Sequence, residues 1–582
     1  MEALYSPEVL DLARQFAAEP VLPENAFSLL EKEVLGRFCT NLTKRVFIIH
    51  SLPETLTTPL LSMYSRLKDP RGIRGTMLSF FLQLIASRLL DEAPELAELY
   101  KGNEKKYLEV AGIHTLDDFV RVGKVRSLID SFLGFGSESE DLEYYSNSPA
   151  VARFLTTWLD KYGHNSIARM AKFIICFEQV TLVAAKTLEW GRPGSGFIEL
   201  STRYVNMGKK GLYKLAQLLE KIWGVPASRI TEHLENAMDR YQKLSGPNMD
   251  GPFPQFLRKT YGPLYSEDPK GLEAGIFGET CDVLGNLLPA AAYTSVAAAV
   301  AGEALSQLVK HLYLDNTPET IALAQLVQEE CCKVGANRFL SHSQPTEWER
   351  YFWEKMYLRP KQFNEKTEGS FCAPCPFSWS DARSAADQIV WRLGEDPAHV
   401  SIEEILASAP ARGEYDKLPR AFETGHNFTG VMSFRGWRDL HRMGLCTHQR
   451  TRITTELGYY AYDKPAPAEL NQAFQEQQRL DHLVSMMLKS FGVPAPLAQY
   501  PLTLGNRVGF LIGANLRQWE FANWQRSKWG ANHEVRNVFL DVERNLRSEY
   551  PWLAPWSRAD TTPAYVFARG AKPLPLPETQ RK

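Results

Sequence analysis

The chain has 582 residues, 44% of them hydrophobic and 23% charged, and 66 basic against 68 acidic side chains leave a net charge of -2. This is ordinary globular usage with ample core; it excludes a disordered chain and a globally basic nucleic-acid binder, and leaves only a local basic cleft open. Eight cysteines scattered over so long a chain do not make a disulfide framework, so reduced thiols in a cytoplasmic setting are expected.

Met1 to Glu8 has neither a positive nor an apolar run, and no secretory leader is expected. Apolar residues three and four apart predict helices over 26–38, 75–99, 212–223 and 230–244, while Val46–Ile49 and Phe173–Phe177 read as strands. Val283 to Gly302 carries no charge, but Asn286, Pro289 and its many alanines suit a buried, close-packed helix better than a bilayer span; no membrane partner is expected. Glycine- and proline-rich breaks fall at 191–196, 245–248 and 359–379. They divide the chain into a first domain over 1–350 with an N-terminal helical extension, a linker over 351–378, a second domain over 379–570, and a Pro-rich, disordered tail over 571–582. The two large parts echo each other. Gly163-His164-Asn165 and Gly425-His426-Asn427 each precede a strand and then a helix, and Leu288-Pro289-Ala290 and Tyr500-Pro501-Leu502 each open a further helix. Echoes this short leave duplication open.

The most unusual segment is Glu199-Leu200-Ser201-Thr202-Arg203-Tyr204, directly after the glycine-rich 191–196 run. A carboxylate, a hydroxyl and a guanidinium this close together suit a planar hydrogen-bonding heterocycle or a phosphate; composition alone favours an exposed loop with a capping serine. This stretch resembles the end of the flavin-dependent thymidylate synthase signature R-H-R-x-x-S-x-N-E-x-S-x-R-Y, met here by Glu199, Ser201, Arg203 and Tyr204. Tyr162-Gly163-His164-Asn165-Ser166 resembles the family's G-H-x-S segment, and Ser62-Met63-Tyr64-Ser65-Arg66 its early flavin-contacting stretch. In the second part Asn515-Leu516-Arg517 matches the N-x-R pair, Arg526 follows nine positions on, and Glu534-Val535-Arg536 resembles E-I-R.

The departures are as informative. Gly191-Arg192-Pro193 stands where the first R-H-R belongs, and Ala301 and Glu303 stand for Asn and Arg. In the second part Glu456 aligns with the signature Glu, R-H-R becomes His448-Gln449-Arg450, and Gly458 and Tyr460 replace its last Ser and Arg. The first part thus keeps the loop and the second keeps the helix. The resemblance implies a helix-rich α/β (α+β) fold of two tandem thymidylate synthase-like domains, each with a small mixed sheet. It implies one composite site in which Glu199, Ser201, Arg203 and Tyr204 bind substrate together with Arg526, with Arg203, Arg526 and Ser201 as the catalytic groups. Ser65, Arg66, His164, Arg450, Glu456, Asn515 and Arg517 would contact FAD. The implied reaction is reductive C5-methylation of a pyrimidine nucleotide, dUMP or a related uridine nucleotide, with methylenetetrahydrofolate and NADPH as co-substrates. A different flavin-dependent alkylation, or a non-catalytic nucleotide-binding relative, are the alternatives. A cytoplasmic homodimer forming a pseudo-tetramer of domains follows from the same resemblance.

Other features read as structural. Cys372-Ala373-Pro374-Cys375 has no second C-x-x-C, and His426, His441 and His448 lack metal spacing, so no metal is expected. Cys446 reads as a core thiol rather than a nucleophile. Trp519, Phe521, Trp524 and Trp529 fit either helix packing or stacking on a ligand.

Overall fold

The computed structural model describes residues 5–52, 54–64, 69–92, 94–100, 103–121, 168–169, 171–190, 195–203, 205–207, 211–360, 363, 372–374, 425–551, 554 and 557–580. The chain folds into two compact units, one of Met1–Ser201, Lys210–Lys214 and Ala292–Arg350, the other of Thr202–Lys209, Leu215–Ala291 and Tyr351–Lys582. The second unit therefore takes the helices over Leu215–Trp223, Ala227–Ser245, Pro252–Tyr261 and Pro269–Leu284 from the part of the sequence that precedes it.

Among the described residues each unit carries one four-stranded sheet, and the two sheets share a plan. In the first, β1 (Val46–Ile49), β2 (Lys172–Thr181), β3 (Gly196–Glu199) and β4 (Tyr293–Ala301) lie in the order β1-β2-β4-β3. In the second, β5 (Cys372–Pro374), β6 (Gly425–Ser433), β7 (Thr447–Arg450) and β8 (Arg507–Asn515) lie in the order β5-β6-β8-β7. All pairings are antiparallel, which corrects the expectation of mixed sheets. In both sheets the two long strands are central and the short ones form the edges.

The helices repeat the same plan. In the first unit α1 (Leu182–Leu188) follows β2, and α2 (Gly302–Asp315) and α3 (Pro318–Lys333) follow β4; in the second, α4 (Phe434–Leu440) follows β6, and α5 (Leu516–Arg526) and α6 (His533–Glu549) follow β8. One polar lock is present twice. Thr181 caps α1, and its N–H and hydroxyl donate to Glu319 in the first turn of α3 at 2.9 and 2.7 Å. Ser433 caps α4, and its N–H and hydroxyl donate to Glu534 in the first turn of α6, the N–H at 3.0 Å. A buried carboxylate that accepts from a backbone amide and a hydroxyl thus stands at the same topological place in both units.

Val283 to Gly302 is not a helix: a 3₁₀ turn at Gly285–Leu287 leads into β4, paired on both edges. Alanine favours helix in isolation, but the ladder to β2 and β3 and a face packed among Val46, Ile175 and Phe177 override that preference. The segment after Tyr500-Pro501-Leu502 is likewise the strand β8. The tail expected to be disordered is packed instead. Val566 and Leu576 donate backbone N–H groups to Leu574 and Ala564, Ala571 and Leu576 are buried, and the Tyr265 hydroxyl donates to the Lys572 carbonyl at 3.0 Å. No helix among the described residues is long and apolar enough to cross a membrane.

Candidate functional site

The second unit holds a buried cluster of arginines and aspartates. Arg203, just past β3, turns its guanidinium onto Asp282 near the end of the helix Pro269–Leu284, with Nε to Oδ1 and Nη2 to Oδ2 both at 3.0 Å. Arg435 on α4 and Arg569 reach the same Oδ1 at 3.0 and 2.9 Å. Asp439, one turn along α4, receives Arg435 at 3.4 Å, Arg203 at 3.8 Å and Arg442 at 3.9 Å. Burial alone would raise both carboxyls, yet the arginines around them hold both well below the usual carboxylate range. Bidentate geometry and shared partners fix these guanidinium planes before any ligand arrives.

Arg526, at the end of α5, is the exception. Its Nε lies 3.1 Å from the Met443 sulfur, and it has no carboxylate partner within ion-pair distance among the described residues. Burial depresses its pKa, and although Asp439 opposes the shift, Arg442 and Arg203 add to it by like-charge repulsion. Arg203 and Arg526, singled out from motifs more than 300 positions apart, therefore lie in one electrostatic neighbourhood of one unit. A half-buried cation facing other cations is stabilised by an incoming anion.

The remaining sequence candidates separate. Glu199 and Ser201 are buried in the first unit, where Lys186 sits 2.9 Å from the Glu199 carboxylate. Arg450 does not line an open face: it is buried against Phe434 and Trp437, with centroid distances of 5.0 and 4.9 Å, and donates to the Thr451 carbonyl at 2.9 Å. Glu456 is exposed. Asn515 caps α5 by accepting from the Gln518 N–H at 2.8 Å, and Arg517 lies half-buried in the same first turn. Ser65, Arg66, His164 and Tyr204 fall outside the described residues.

Beside Asn515 and Arg517, the sheet face is polar. A Cβ on Gly513 would stand 2.0 Å from Asn427 Oδ1 and 2.7 Å from Thr447 Oγ1, so only glycine lets these side chains close over β8. Amide, hydroxyl and guanidinium groups at the N-terminus of an eleven-residue helix are a donor set that fits a phosphorylated, hydrogen-bonding cofactor such as FAD. Cys446 is no nucleophile in waiting, because burial pushes its thiol up to about 12. Burial also lowers His448 to about 4, so its ring stays neutral, with Nε2 3.0 Å from the Met443 carbonyl. Trp519 is core, edge-on to Phe428 at 5.0 Å with its indole N–H donating to the His426 carbonyl.

Sequence reasoning missed Asp282, Arg435, Asp439, Arg442 and Arg569. A signal was present: Arg435, Arg438, Asp439 and Arg442 recur at three- and four-residue spacing, on a buried helix over Phe434–Leu440 and just past its end.

A sequence profile of the thymidylate synthase complementing protein family matches residues 125–335. The chain is also similar to a UPF0159 protein of Chlamydia muridarum (strain MoPn / Nigg), 23% identical over 564 residues that cover 91% of this chain and 94% of the relative. A UPF0159 protein of Chlamydia pneumoniae is 24% identical over 558 residues, covering 90% and 93%. Another UPF0159 protein, of Thermoplasma acidophilum, is 23% identical over 457 residues, covering 71% and 89%. Residues 125–335 are therefore similar to the thymidylate synthase complementing proteins, the same likeness that the loop after β3 carries.

Proposed function

We propose that the protein is a flavin-dependent enzyme that methylates C5 of a pyrimidine nucleotide, with dUMP or a related uridine nucleotide as substrate. The observation that carries the reading is Arg526, a half-buried guanidinium with no carboxylate partner among the described residues, beside a set of arginines fixed by Asp282 and Asp439. A uracil ring that attacks an electrophilic carbon spreads negative charge onto its oxygens and nitrogens, and fixed cations in a water-poor pocket stabilise that charge. Arg526 is the group that binds the anion. Arg203 is held in place by Asp282 and raises the local potential. Asn515 and Arg517 are the residues that would hold FAD, which supplies the hydride when bound. Methylenetetrahydrofolate as carbon donor, NADPH as reductant and a cytoplasmic homodimer complete the proposal by family resemblance.

A non-catalytic nucleotide-binding relative is the second reading. It is favoured by Arg450, the one R-H-R position retained in the second part, being locked among aromatic side chains. The visible spectrum of the purified protein incubated with FAD separates the two. The enzymatic reading expects a bound flavin band that is lost in Arg517→Ala, together with methyl transfer to dUMP. A protein that binds dUMP but takes up no flavin fits the second reading and removes the first.

A further inference from the structure

The first unit contains a cavity of about 920 Å³ on the sheet face that turns away from the core. Its floor is made by what is missing from the side chains: Ala297, Ala299 and Ala301 on β4 and Gly196 on β3, with Ile174 and Ile198 beside them. Ala299, Ala301, Ile174 and Ile198 are only partly covered, so the floor is open to the cavity. The strand registers show what the duplicate has at the same places. Lys172 pairs with Ala301 as Gly425 pairs with Asn515, and Gly196 pairs with Ala299 as Thr447 pairs with Gly513. Ala301 therefore stands for Asn515, Ile174 for Asn427, Gly196 for Thr447 and Glu303 for Arg517. The groups that make the second unit's face polar are replaced by hydrocarbon in the first, and the helix-start cation by a carboxylate that Arg169 already pairs with.

This floor favours an aliphatic occupant: alanine and isoleucine side chains offer no partner to the ring N–H and C=O groups of a flavin, pterin or nucleobase, although His50, Ser51 and Thr57 also line the cavity. An aliphatic body has nothing to leave unsatisfied, and the volume falls within the roughly 300–1,000 Å³ of small-molecule sites. At the margin stands Lys172, an exposed lysine with no carboxylate partner among the described residues. We propose that this cavity binds an aliphatic carboxylate, with the hydrocarbon chain on the Ala299–Ala301 floor and the carboxylate at Lys172.

The test uses the full chain and sodium dodecanoate below its micelle concentration, titrated by calorimetry. Saturable binding is expected, with decanoate weaker by on the order of tenfold, since each buried methylene contributes about fourfold. Ala299→Phe fills the floor and should weaken dodecanoate at least about tenfold while dUMP binding stays unchanged; Ala301→Phe is the second variant if the first fails to fold. Lys172→Met should weaken it about threefold, as for an exposed charge pair. Dodecylamine, with the opposite charge, should bind more weakly than dodecanoate. Absence of dodecanoate binding, equal affinity for decanoate and dodecanoate, or affinity indifferent to the phenylalanine variants would overturn the proposal. Dodecylamine binding as tightly as dodecanoate would overturn the assignment to a carboxylate.

Discussion

The two sheets share one plan and carry opposite chemistry. Strand order and the hydroxyl–carboxylate lock (Thr181 with Glu319, Ser433 with Glu534) are common to both. The faces differ: β8 presents Asn515 beside Asn427 and Thr447, whereas β4 presents alanines over a cavity. Side chains that close the backbone's hydrogen bonds are constrained by the fold itself, since losing one strands a buried donor or acceptor. Side chains that touch a ligand are constrained only while the ligand is used, so they can differ between units of one plan.

The sharpest way to break this comparison is Asp282→Ala. It would leave Arg203, Arg435 and Arg569 without their shared counterion, and the expected loss of stability is about 3–5 kcal/mol, read as a lower urea midpoint. The same carboxylate gives the fold a pH dependence. Because its folded pKa lies below its unfolded value, its contribution is complete above about pH 4 and is lost as pH falls towards the folded value. In Asp282→Ala, the stability lost by wild type on acidification below about pH 4 should shrink. Next in size is Arg526→Ala, which should weaken nucleotide binding by on the order of 10–100-fold with the fold intact, the scale of one charged hydrogen bond. Glu319→Gln and Glu534→Gln should each cost about 1–3 kcal/mol. Similar values would show that the lock does the same work in both units, and a large inequality would show that one of the two locks is dispensable. Smallest is Cys446→Ser, expected to change turnover by less than about twofold because the buried thiol is not a nucleophile.

What the sequence revealed, and what it hid, follow the same physics. Val46–Ile49 and Phe173–Phe177 were legible as strands because their β-branched and aromatic residues match that structure. The alanine run of β4 was not, because a strand of small residues on a cavity floor has the composition of a helix. Arg203 and Arg526 were legible through motif resemblance. Asp282 was not, because it sits near the end of a helix with no motif around it, and its role exists only where three distant arginines meet on it. The position of Arg450 in the motif was legible, but its enclosure by Phe434 and Trp437 is a tertiary fact that no spacing carries.

The central claim is that nucleotide binding rests on Arg526 in the second unit and not on Lys172 at the cavity of the first. Calorimetric titration of dUMP into wild type, Arg526→Ala and Lys172→Met tests it most directly. The account predicts tight binding to wild type and Lys172→Met, with a loss on the order of 10–100-fold confined to Arg526→Ala. Undiminished affinity in Arg526→Ala, or a loss of that size in Lys172→Met, would contradict it.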